Sequence, residues 1–166
     1  MSDDLLTPEE VRSILHALSA TGARFIIIGG FAMTLIGADH VTTDIHAVYS
    51  RSPQDIEKLA EGLRAFRPRL RGAPQDIPFV WDARTLKMGA NFTLDTDVGR
   101  IDLLANVEGP SFEEMWARSV PMTVYDVQVR VVSLDDLIEL KRRAGRPKDQ
   151  AHLLELHALK KLIDSP

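Results

Sequence analysis

Asp44 and His46 stand two residues apart, downstream of a glycine pair, Gly29 and Gly30, and far upstream of Asp102, a lone carboxylate in an apolar run. Side chains alternate along an extended strand, so Asp44 and His46 project from one face while Ile45 points the other way. Asp102, between Ile101 and Leu103, likewise faces opposite to its apolar neighbours. Two carboxylates on adjacent strands, beside a glycine turn that leads into a helix, suit phosphoryl or nucleotidyl transfer. Hard oxygen ligands hold magnesium, and magnesium bridges a triphosphate. Glycines let backbone approach phosphates, and a helix N-terminus offers N–H donors to an anion. An ordinary strand–turn–helix crossing with surface carboxylates would use the same residue types, and the glycine pair alone favours that plainer reading.

Several elements must position these groups. Phe25–Ile28 is an apolar run that reads as a buried strand closed by the Gly29–Gly30 turn, and residues 31–36 read as a short helix stopped by Gly37. A second strand carries Asp44, His46 and Tyr49. Thr7-Pro8-Glu9-Glu10 has the capping threonine, first-turn proline and following glutamate of a helix start, with Val11, Ile14, Leu15 and Leu18 at helical spacing. Ser52-Pro53 opens another helix with an apolar stripe through Ile56, Leu59, Leu63 and Phe66. Residues 68–78, rich in proline and arginine, read as a long surface loop; Arg69 and Arg71 in it and Arg67 just before it could meet a substrate phosphate, with solvated charges the plainer reading. Residues 91–96 and 100–104 read as antiparallel strands, 120–132 as a strand or hairpin, and Ser111 and Ser133 as helix starts. Pro147 opens a last helix through Leu162.

A chain of 166 residues fits one domain, residues 1–166, with a substantial core. A net charge of −4 and a pI near 5.7 give no global pull toward nucleic acid or an anionic membrane, so any polyanion site is local. The absence of cysteine excludes disulfides and thiolate chemistry. No apolar run is long enough to span a bilayer, and Met-Ser-Asp-Asp lacks the form of a signal peptide, so a cytoplasmic protein without membrane partners is expected.

Gly29-Gly30, thirteen intervening residues and Asp44-Ile45-His46 together resemble the signature of the nucleotidyltransferase superfamily. Asp102 in Arg-Ile-Asp-Leu-Leu resembles that superfamily's third carboxylate. Leu-Lys-Arg-Arg-Ala-Gly-Arg-Pro-Lys-Asp, residues 140–149, resembles the basic motif of the minimal, toxin-like nucleotidyltransferases of abortive-infection systems. The resemblance implies an α/β nucleotidyltransferase-like fold: a short mixed sheet flanked by helices, a helical C-terminus, and the site at one edge of the sheet. It further implies Mg2+ or Mn2+ and an NTP as cofactors, with Asp44, His46 and Asp102 at the metal. Asp44 would be shared between metal and triphosphate, and Asp102 would hold a second metal or activate the attacking hydroxyl. Gly29, Gly30, Lys141, Arg146 and Lys148 would bind the nucleotide, and Asp149 would position the basic residues or the acceptor, although a first-turn carboxylate favoured by the helix dipole explains it equally well. The acceptor would be a hydroxyl on RNA, tRNA among them, or on protein, and an antitoxin protein a partner.

His46 departs from the pattern, which has a second carboxylate there. Neutral imidazole brings one lone pair, no charge and a preference for softer metals than magnesium, so two-metal catalysis is weakened. A degenerate inactive homologue, an enzyme with altered metal use and a residue altered by design are the three readings. His152 is a second departure, where the toxin-like motif repeats an aspartate. A non-catalytic nucleotide- or partner-binding module is therefore the rival expectation. A nucleic-acid binder using the five basic residues between Lys141 and Lys148 is a third. Asp39 and His40 read as loop polar residues, His16 and His157 as lone histidines, and Trp81, Trp116, Tyr49, Phe31 and Phe92 as packing residues.

Overall fold

The computed structural model describes residues 5–38, 42–74 and 76–165; Asp39 and His40 lie outside them. Helix α1 (Pro8–Ala20) starts as its sequence dictates, with Thr7 and Glu10 forming a reciprocal capping box. Strand β1 (Phe25–Ile28) runs into α2 (Gly29–Ile36), so the glycine pair is the first turn of the helix itself. Gly29 makes the abrupt change of direction with a φ of +76°, a conformation that L side chains rarely adopt. Strand β2 (Ile45–Tyr49) leads to α3 (Pro53–Leu63), capped by Ser52.

Residues 68–78, expected as loop, contain a two-residue strand, β3 (Arg69–Leu70), registered against Asp95 and Leu94. A five-residue helix, α4 (Ala83–Lys87), follows, capped by Asp82 accepting from Thr85 N, in a stretch to which the sequence analysis assigns no element. Strands β4 (Phe92–Thr96) and β5 (Gly99–Leu104) form the expected antiparallel pair. After α5 (Phe112–Arg118), β6 (Val120–Val124) and β7 (Val127–Val131) form a hairpin whose turn residues, Tyr125 and Asp126, have positive φ. Helix α6 (Leu134–Ala144) ends at a left-handed Gly145, and α7 (Pro147–Asp164) completes the helical C-terminus.

The seven strands form one mixed sheet in the order β3-β4-β5-β2-β1-β7-β6. The parallel pairs are β2 with β5 and β1 with β7. Ile27, Ile45, Ala47, Ile101 and Leu103 are fully buried on one face of the sheet, and alternation along β2 and β5 turns His46 and Asp102 to the other. The expectation of a site on one edge is corrected here. β2 and β5 are central strands, because two antiparallel strands are added outside β5 and three strands lie beyond β2. Among the described residues, no helix is long and apolar enough to cross a membrane.

Candidate active site

His46 and Asp102 are direct cross-strand partners in the parallel β2–β5 ladder, and Ile28 is the partner of His46 on β1. Directly opposed side chains on one sheet face approach within contact distance, so the register alone brings imidazole and carboxylate together. Asp44, expected on the strand, immediately precedes it and curls back onto the same face. The result is one cluster. His46 Nε2 lies 3.1 Å from Asp44 Oδ1 and 3.1 Å from Asp102 Oδ2. Gly29 supplies the floor: a Cβ there would sit 3.2 Å from the His46 ring.

Arg71, expected to be a solvated charge, closes the other side. Its Nη2 is 3.2 Å from Asp102 Oδ1 and its Nη1 is 3.6 Å from Asp44 Oδ2. Each carboxylate thus turns one oxygen to the imidazole and the other to the guanidinium. The Arg71–Asp102 ion pair is not directed as a hydrogen bond, so the buried Asp102 Oδ1 has no hydrogen-bond partner. The two carboxyls are pushed apart in acidity. The His46 hydrogen bond draws Asp44 below the usual carboxylate range against the opposing effect of burial. Burial lifts Asp102 above that range and the charge of Asp44 adds to the rise, opposed by His46 and Arg71. Arg67 and Arg69, by contrast, both pair with Asp97 at the β4–β5 turn and stay outside the cluster.

The cluster opens on a cleft of about 650 Å³. Gly29, Gly30, Asp44 and His46 line one wall, Asn91 and Asn106 another, and Lys141, Arg146, Lys148 and His152 a third. Seven of the eight sequence-predicted site residues therefore face one volume, and the eighth, Asp102, sits directly behind His46. The first turn of α2 has no side-chain cap, which leaves its N–H groups to the cleft. Lys141 is 8% exposed, with Nζ 3.5 Å from Asp149 Oδ1, and burial draws its pKa down. Asp149 is fully buried and accepts hydrogen bonds from Arg146 N and Nε at 3.1 and 2.8 Å. It thus fixes the α6–α7 junction and does not itself reach the cleft.

Asp44, His46 and Asp102 each offer one ligand atom, all within 4.8 Å of one another. Two carboxylates and an imidazole fit a single divalent cation, with manganese suited better than magnesium to the nitrogen donor. His46 Nε2 is the ring nitrogen that faces both carboxylates and is the ligand atom nearest to them. The packing residues are where the sequence places them. Trp81 Nε1 donates to Ala60 O, Tyr49 Oη to Leu86 O, and Phe31 and Phe92 are buried. Trp116 stacks on Phe112 beneath Arg24 and Arg130.

No family model matches the sequence, and no curated protein matches it either. Its structure is similar to that of a lincosamide antibiotic adenylyltransferase, LnuA, bound to lincomycin. That match has a TM-score of 0.59 at 16% identity and covers 93% of this chain and 99% of that one. An antigenic nucleotidyltransferase-like protein from Paracoccidioides brasiliensis is similar with a TM-score of 0.57 at 17% identity, covering 97% and 77%. ANT(2'')-Ia in complex with adenylyl-2''-tobramycin is similar with a TM-score of 0.55 at 14% identity, covering 93% and 87%. The fold is thus nucleotidyltransferase-like.

Proposed function

We propose that the protein transfers a nucleoside monophosphate from an NTP to an acceptor hydroxyl. The observation that carries this reading is the convergence of Asp44, His46 and Asp102, beside the uncapped glycine turn of α2, on a cleft with a basic far wall. A divalent cation at these three side chains supplies charge neutralisation to the triphosphate. The chain's own groups do the rest. The Gly29 and Gly30 backbone receives phosphate oxygens, and Lys141, Arg146 and Lys148 balance their charge. Asp102, next to His46 and raised in pKa by burial, would take the proton of the acceptor hydroxyl. The hydroxyl oxygen then bonds to the α-phosphorus, the bond to the β-phosphate oxygen breaks, and pyrophosphate leaves.

The acceptor remains the hydroxyl of an RNA or a protein, or a small polyhydroxylated molecule of the kind seated in two of the structural neighbours. A second reading, nucleotide binding without transfer, is favoured by one specific feature: His46 stands where a third carboxylate would complete the acidic set. Incubation with α-labelled NTPs, Mn2+ or Mg2+, and tRNA, protein and aminoglycoside acceptors separates the two. Label on an acceptor, lost in Asp44→Ala, is the expected result. NTP binding without label on any acceptor would leave the binding module, and absence of NTP binding would remove both.

A further inference from the structure

Arg71 is held by more than its contacts with Asp44 and Asp102. Its backbone N–H donates to Thr93 O at 2.9 Å, one residue beyond the β3–β4 register pairs, and Thr93 is the β4 partner of Asp102. Arg71, Thr93 and Asp102 thus lie in one line across three neighbouring strands. Strands stand about 4.8 Å apart, and an arginine side chain spans the two steps to the carboxylate. Arg71 Nη2 donates to Leu94 O at 2.6 Å and Nε to Asp95 Oδ1 at 3.2 Å, so the guanidinium is pinned before it meets Asp44 and Asp102. It stands behind the cleft and is not part of its lining, which separates it from the phosphate-facing residues Lys141, Arg146 and Lys148.

We infer that Arg71 is a built-in substitute for a second metal ion, so that the site takes one divalent cation where a two-metal site would take two. This rests on the transfer reading for its consequence, because it leaves Asp102 as a proton acceptor, but not for its test. Two-metal sites bring ions within about 3.5–4 Å of each other by sharing carboxylate oxygens between them. Here the oxygens that a second ion would need, Asp44 Oδ2 and Asp102 Oδ1, face a fixed positive charge at 3.6 and 3.2 Å. A second dication against the same oxygens would meet the guanidinium at contact range, where repulsion is strong even with partial solvent screening.

Charge balance points the same way. Asp44, Asp102 and Asp95, on Arg71 Nε, set against Arg71 itself and Arg100, whose charge acts on Asp44, carry a formal charge of −1, which a single dication reverses to +1. A three-carboxylate cluster with two dications reaches the same +1, so Arg71 together with His46 reproduces the electrostatics of the doubly loaded site with half the metal. The planar fork of arginine is what permits this, because one guanidinium addresses both carboxylates while two further donors hold it in place.

The test counts bound ions with Mn2+ alone, from the electron-paramagnetic-resonance signal of the free aquo ion. The intact protein is expected to bind one ion per chain. His46→Asp, which restores a third carboxylate while keeping Arg71, is expected still to bind one. His46→Asp combined with Arg71→Met is expected to bind two, with the line broadening of neighbouring manganese ions. Two ions in the intact protein or in His46→Asp alone would overturn the inference, and so would one ion in the folded double variant. If Arg71→Met unfolds the chain, Arg71→Gln keeps a donor for Leu94 O and the same counts apply. A count of one, one and two in a protein that transfers no nucleotide would uphold Arg71 as the second charge and remove the transfer reading. Labelled product from a protein that binds two ions would do the reverse.

Discussion

Asp102 and Asp149 are both withdrawn from solvent, 9% and 0% exposed, and both have cationic neighbours, yet their chemistry differs. Asp149 accepts from the backbone and guanidinium of Arg146, and Lys141 stands 3.5 Å away. Burial alone would raise its pKa, but the Arg146 hydrogen bonds and the Lys141 charge hold it below the usual carboxylate range. Asp102 shares its surroundings with a second carboxylate, keeps an oxygen without a donor, and is raised. A structural ion cluster satisfies each buried atom and makes the charged form the favoured one. The β2–β5 cluster leaves coordination capacity unspent, which costs stability and provides a place for a ligand. The same residue type is a clamp at the α6–α7 junction and, in the proposed reaction, a reactive group at the β2–β5 cluster.

Crossed substitutions break that contrast most directly. Asp102→Asn is expected to reduce nucleotidyl transfer by about 10³-fold, the scale for losing a proton acceptor and metal ligand together. Its effect on stability should stay under about 1 kcal/mol, because removing one of two adjacent carboxylates relieves repulsion while weakening the Arg71 pair. Asp149→Asn should do the opposite: a loss of about 3 kcal/mol in urea unfolding, since Lys141 is left buried without a counter-charge. Any loss of activity in that variant should recover as temperature is lowered and the folded fraction returns. Equal stability losses in the two variants would show that both clusters are structural.

The residues that the sequence made legible are those governed by local rules. Caps at Thr7, Ser52, Ser111 and Ser133 set the helix starts, and the alternation of Ile101, Asp102 and Leu103 fixed which way the carboxylate faces. Asp44, His46 and Asp102 could be grouped in advance because the resemblance to the nucleotidyltransferase signature implies that they meet at one site. Arg71 could not. Its role depends on β3, two residues long in a proline- and arginine-rich stretch with no periodicity, and on β4 lying between it and β5. Nothing local distinguishes it from Arg67 and Arg69, which end on Asp97. The central position of the site was hidden for the same reason, because sheet order is a property of distant pairings. Asp149 was ambiguous because a capping carboxylate and a site carboxylate occupy the same place in a first helical turn.

A third carboxylate sharpens the contrast through pH. Asp55 is 6% exposed and lies far from the cleft residues in the fold, at the start of α3. Burial opposes its ionisation, but hydrogen bonds from Ser50, from the Arg24 side chain and backbone, and from Ser52 bring its pKa down to about 2. In the unfolded chain it titrates near the ordinary aspartate value of about 3.9. Between these values the unfolded chain binds more protons than the folded one, so stability rises with pH across this window and is lost as pH falls from about 4 toward 2. The loss should approach 2 kcal/mol for this residue, an upper figure because Arg24 is partly solvated and screened. Asp102 has the opposite sign: with its folded pKa raised, protonation favours the folded state, and acid down to its unfolded pKa relieves the cluster. Urea unfolding of Asp55→Asn and Asp102→Asn between pH 2.5 and 6 should therefore give curves that diverge from the parent in opposite senses, with the acid-side slope of the parent reduced in the first and steepened in the second. Parallel slopes would mean that the two carboxylates feel the same environment after all, and the distinction between clamp and reactive group would fail at its simplest electrostatic measure.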